Sequence, residues 1–162
     1  MSADFSECGN YRYRLDRKLD FNGSKTYAFL GINPSTAGKD DNDPSLARML
    51  IHARNNGANH CIVVNVFSWI SSDVSELARI NDPLGLERDK YLHGIIKDAD
   101  VLVVCWGNKS KVPMSLRHHF DIVLSTLVKS GKPLMCLAKN KSGDPKHPLY
   151  ASTSSPLIQF LS

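Results

Sequence analysis

CIVVNVF, residues 61–67, is apolar at every position except Asn65. A strand with one wet face alternates polar and apolar residues, whereas a continuous apolar run belongs to a strand covered on both faces. Three further runs share this character: TYAFLGI at 26–32, VLVVCWG at 101–107 and PLMCLA at 133–138. Segments of helical periodicity separate them. Asp43-Pro44 has the form of an N-cap followed by proline at the first helical position. SLARMLIHARNNG then sets Leu46, Met49, Leu50 and Ala53 on one face and stops at Gly57. Helices are also expected at 83–97 and 115–129, a half-exposed strand at YRYRL (11–15), and a turn at 21–24. Doubly covered strands alternating with helices predict an α/β fold. The expected form is a three-layer α/β/α sandwich around a central, mostly parallel four-stranded sheet.

The 162 residues suit a single domain, 1–162. A hydrophobic content of 42% with 22% charged residues excludes disordered, collagen-like and coiled-coil classes. No apolar run approaches the ~18 residues of a membrane span. The opening MSADFSECGN lacks the basic and apolar regions of a signal peptide, so a cytoplasmic, non-membrane protein is expected. Cys61, Cys105 and Cys136 sit inside apolar runs and read as buried thiols; with Cys8 they form no CxxC pair or zinc spacing. Neither a disulfide nor a metal site nor a cofactor is expected. Charge is unevenly spread: residues 40–100 carry six Lys/Arg against ten Asp/Glu, residues 106–162 eight against two. A basic carboxyl-terminal part suggests a face for a polyanion.

Functional groups in parallel α/β folds collect at the carboxyl ends of the strands. That makes candidates of the loops 33–43, 65–72, 106–112 and 139–150. The first opens Gly31-Ile32-Asn33-Pro34-Ser35-Thr36, which is neither a dinucleotide fingerprint, nor a P-loop, nor a hydrolase elbow. Asn65 places an amide in an apolar strand, where it must find partners or cost roughly 1–3 kcal/mol. The last loop ends His147-Pro148-Leu149-Tyr150. Each of these has a purely structural reading beside a functional one.

GINPS, VVNVF, VLVVCWG and HPLY, in that order, resemble motifs of the uracil-DNA glycosylase superfamily, closest to its mismatch-specific uracil/thymine branch. The chain is also similar to an uncharacterised bacterial and phage domain family with RYxL, GxNPST, VVNxF, WG and HPLY motifs. The superfamily resemblance implies a uracil-DNA glycosylase-like fold and release of a flipped-out, mismatched or modified pyrimidine from DNA by a monomer. Asn33 then orients the attacking water, and His147 stabilises the departing base. Gly31, Ile32, Pro34 and Ser35 form the base pocket, and Asn65 reads the pyrimidine edge. The stacking aromatic is Phe67, Trp69 or Tyr150, or is absent, Leu149 is the apolar wedge, and Lys139, Lys141 and Lys146 hold phosphates. Ser35 replaces the bulky tyrosine of strict uracil enzymes, implying an open pocket. Alternatives are a non-catalytic DNA-binding module, Mg-dependent phosphoryl-transfer or nuclease chemistry at Asp40, Asp41 and Asp43, and Ser35 or Thr36 as a nucleophile with His147.

Overall fold

The computed structural model describes residues 1–19 and 22–161. One sheet runs through it, made of β1 (Ser2–Phe5), β2 (Arg12–Lys18), β3 (Lys25–Gly31), β4 (Ala58–Asn65), β5 (Val101–Val104), β6 (Leu134–Cys136) and β7 (Ile158–Gln159), in the order β1-β2-β4-β3-β5-β6-β7. β3 pairs in parallel with β4 and β5, and β5 with β6. The β1–β2, β2–β4 and β6–β7 pairs are antiparallel. The α/β class therefore holds, but the sheet is seven-stranded and mixed rather than four-stranded and mostly parallel. The added strands cap the edges: β1 is four residues long and β7 two, too short and too exposed to give a periodic signal.

The continuous apolar runs are explained by cores on both faces. On one, Ala28 and Leu30 of β3, Ile62 and Val64 of β4, and Leu102 and Val104 of β5 pack with Leu92 and Ile95 of α2 (Arg88–Asp98) and Phe120, Val123 and Leu127 of α3 (His118–Lys129). On the other, Tyr27, Phe29, Cys61, Val63 and Val103 meet Leu46, Met49 and Ala53 of α1 (Pro44–Asn55). α1 starts as its sequence predicts: the Asp43 carboxylate accepts from Leu46 N–H at 2.8 Å and Pro44 occupies the first turn. α2 begins five residues later than expected, because residues 82–85 form a turn. There Asp82 Oδ1 accepts from the N–H of Gly85, whose φ is +87°. α3 likewise follows a 3-10 turn at Met114–Leu116.

All four cysteines are free, with Cys61, Cys105 and Cys136 buried. The turn expected at 21–24 begins at Phe21, outside the described residues. Among the described residues no helix is long and apolar enough to cross a membrane.

Candidate functional site

β3 and β4 end level, with Gly31 opposite Asn65. Their parallel pairing continues into the loops: Gly31, Ile32 and Pro34 carbonyls accept from the N–H groups of Val66, Phe67 and Ser71 at 2.9–3.0 Å. Asn33 fastens the same two loops, its Nδ2 donating to the Pro34, Trp69 and Ser71 carbonyls at 3.1, 3.3 and 2.8 Å. Its Oδ1 accepts nothing from the described residues and is available to a ligand or water.

The loop 139–150 is anchored from two sides. Gly107, at φ +80°, donates its N–H to Pro145 O at 2.9 Å, and Arg48 of α1 donates to Pro148 O and Ala151 O at 3.3 and 2.9 Å. His147 then caps a 3-10 turn, Pro148–Tyr150, its Nδ1 accepting from Leu149 N–H at 3.2 Å. With Nδ1 an acceptor, the neutral ring carries its proton on Nε2. Burial, reinforced by Lys111 and opposed by Asp43, holds the imidazole pKa below 6.5.

These loops enclose a cleft of about 190 Å³ at the carboxyl edge of β3 and β4. It brings together Gly31, Ile32, Asn33, Pro34, Ser35, Asn65 and His147, all singled out in the sequence, with Asp43, Ser45 and Leu46 at the start of α1. The volume suits one heterocycle and is well short of a dinucleotide site. Asn65 is only 6% exposed, yet its amide makes no hydrogen bond to the described residues. A Cβ on Gly31 would lie 2.8 Å from Asn65 Oδ1, so glycine at 31 leaves that amide its room.

Other expected site residues lie elsewhere. Phe67 is fully buried in the core against Phe120 and His119, so no base stacks on it. Trp69 packs edge-on against Tyr11 and does not line the cleft. The cleft lining holds no aromatic ring besides His147. Leu149 and Tyr150 project from the turn after His147, 41% and 66% exposed, with Lys111 Nζ 5.3 Å from the Tyr150 ring. Lys139, Lys141 and Lys146 are on the loop leading to His147 and form no ion pair among the described residues, whereas Lys109 is 3.5 Å from Asp121. Thr36, Asp40 and Asp41 are exposed and off the cleft. Among the described residues no three His, Cys, Asp or Glu side chains are grouped to hold a metal ion. Asp43 reaches the cleft but is tethered, Oδ2 accepting from Ser35 Oγ at 2.7 Å and Oδ1 capping α1. That bond turns the Ser35 hydroxyl toward a carboxylate, and the His147 Nδ1 is taken by Leu149, so the two form no nucleophile–base pair.

Arg12 also lines the cleft and was invisible in the sequence, where YRYRL reads as half-exposed. Its burial comes from β2 lying inside the sheet, between β1 and β4, which local alternation does not encode.

Neither the curated proteins nor the solved structures contain a match to the chain. A family model described as "Protein of unknown function (DUF1643)" matches residues 12–149, the span from Arg12 to just past His147, and the chain belongs to that family.

Proposed function

We propose that this protein is a DNA glycosylase that hydrolyses the N-glycosidic bond of a flipped-out pyrimidine, mismatched or modified, and leaves an abasic site. The observation that carries the reading is the unpartnered, buried Asn65 amide in a one-base cleft shared with Asn33 and His147. An amide offers one donor group and one acceptor, matching the polar edge of a pyrimidine. Four parallel strands with helices on both faces, and the motif residues at their carboxyl ends, support kinship with the uracil-DNA glycosylase fold.

Cleaving the bond builds positive charge on the sugar and negative charge on the base, so placed dipoles supply most of the catalysis. Asn33 Oδ1 accepts from a water and aims its lone pair at the anomeric carbon. The water oxygen bonds to that carbon, the carbon–nitrogen bond breaks, and the water's proton ends on the released base. His147 Nε2–H donates to the base oxygen as charge develops there. The exposed Leu149 and Tyr150 fill the space left by the extruded base, and Lys139, Lys141 and Lys146 contact phosphates. The proposed setting is a cytoplasmic monomer acting on DNA.

The test is single-turnover base release from duplex and single-stranded DNAs carrying a panel of modified pyrimidines. His147→Ala is expected to slow release by roughly 10²–10³ with little change in DNA affinity. Asn33→Ala is expected to slow it at least as much, but also frees the loop it fastens, so His147 is the cleaner probe. Activity survives chelator, and affinity falls about tenfold or more between about 50 and 200 mM salt. Binding without release from any panel member replaces this reading with a DNA-binding module. Activity that tracks Asp40 and Asp41 and vanishes with chelator replaces it with metal-dependent chemistry.

A further inference from the structure

Two arginines on β2 are almost wholly buried, Arg12 at 4% and Arg17 at 2% exposure. Arg17 is a strut. It donates to the Asp16, Gly38 and Asp41 carbonyls and to Asn42 Oδ1, at 2.6–3.0 Å, and so holds the loop 38–42. Arg12 makes one side-chain hydrogen bond, from Nη1 to Ala37 O at 2.5 Å. Its Nε is buried without a partner, and its Nη2 has none among the described residues. No carboxylate lies within ion-pair distance of it there; Asp43 acts on it only from farther away. Arg88, the third buried arginine, has Asp89 Oδ1 at 3.1 Å and lies off the cleft.

Nε is sealed off, but Nη2 is neither sealed nor paired among the described residues. A guanidinium N–H there can donate a charge-assisted hydrogen bond to a carboxylate in the cleft. Burial lowers the Arg12 pKa to about 10, which leaves the group charged at neutral pH. A neutral pyrimidine edge is already served by the Asn65 amide, so the guanidinium is surplus to reading an ordinary base. We propose that Arg12, beside Asn65, makes the cleft a receptor for an anionic substituent carried on the ligand's ring. The ligand is then a nucleobase-sized heterocycle bearing a carboxylate or similar acid, a substrate class that rests on the pyrimidine reading of the cleft. A cleft of about 190 Å³ has room for one ring with a small substituent.

The experiment is an NMR titration of the full chain with uracil-5-carboxylate, thymine, thymidine and thymidine 5′-monophosphate. Uracil-5-carboxylate is expected to bind about 10- to 100-fold tighter than thymine, the range for a charge-assisted hydrogen bond. It should also move the Arg12 Nε–H resonance. Arg12→Gln brings the two bases to within about twofold by weakening the acid far more than thymine, and Arg12→Lys restores part of the difference. Should Arg12→Gln not fold, the wild-type comparison and the Nε–H signal decide alone. Equal binding of acid and thymine, an acid advantage that survives Arg12→Gln, or no binding of either base overturns the proposal. So does a larger gain from the 5′-phosphate over thymidine than from the carboxylate over thymine, because the anion then sits on the sugar. Base release is not read, so a failed glycosylase reading and a failed anion receptor give different results.

Discussion

β2 and β4 run antiparallel and carry a polar cluster at each end, but the two clusters are handled in opposite ways. At one end Asp16 accepts from Arg14 Nε and Nη2 at 2.7 and 2.9 Å and lies 2.8 Å from His60 Nε2, while Arg14 Nη1 reaches Asp98 at 2.6 Å. At the other end Asn65 and Arg12 are more deeply buried, yet among the described residues the amide has no protein partner and the guanidinium has one. A buried polar group that is fully paired specifies the fold; one left open is tolerated where a ligand completes it. The contrast separates scaffold from site on the same two strands.

The largest expected effect comes from exchanging the roles. Asn65→Ala removes no protein hydrogen bond, so stability is expected to change by less than about 1 kcal/mol, while base release falls roughly 10²-fold or more. Asp16→Ala is the converse: it leaves Arg14 Nε and Nη2 and His60 without this partner, while Arg14 Nη1 keeps Asp98. The cost is roughly 1–3 kcal/mol, with release by the folded fraction unchanged. Denaturant melts and single-turnover rates on both variants check the pair. An Asn65→Ala protein that loses several kcal/mol makes Asn65 scaffold and ends the distinction.

A smaller effect sharpens it. Gly31→Ala puts a methyl 2.8 Å from where Asn65 Oδ1 now sits, and the amide is the part free to move. Release is expected to drop about 3- to 10-fold with stability unchanged or slightly raised, since alanine restricts the unfolded chain. Equal activity shows that the amide orientation is not used.

Much of the scaffold was legible because it rests on local signals. The apolar runs mark β3, β4, β5 and β6, and Asp43-Pro44 marks the start of α1. The motif residues Asn33, Asn65 and His147 converge because level strand ends bring distant loops together. The rest depends on long-range pairing. Nothing in Ser2–Phe5 announces a strand until β2 lies beside it. Phe67 reads equally as a pocket wall or a core residue until α3 packs on it. Asp43 was legible as a cap and as one of three candidate acidic residues, but what set it apart from Asp40 and Asp41 was not, because its second oxygen meets Ser35 only once the loop 35–43 closes. Arg12 needed both β1 and β4 in place to be seen as buried.

The smallest expected effect is electrostatic and distinguishes the clusters by pH. Burial alone would raise the Asp16 pKa, but the hydrogen bonds from His60 and Arg14 hold it well below the usual carboxylate range. Its stabilising contribution is therefore complete above the unfolded value of about 3.9 and is lost as pH falls below it. His147 acts with the same sign in a higher pH window. Its folded pKa lies below 6.5, so on acidification the unfolded chain takes up the proton first, and from about pH 6.5 downward this residue works against folding. NMR titration is expected to find His147 titrating below 6.5, with Nε2 protonated and Nδ1 bare at neutral pH. Because burial leads and Lys111 adds to it, Lys111→Ala should raise the His147 pKa without bringing it to 6.5, whereas Asp43→Asn should lower it further. A neutral ring with its proton on Nδ1 would leave Nε2 without the role proposed for it, and His147 would join Asp16 as scaffold.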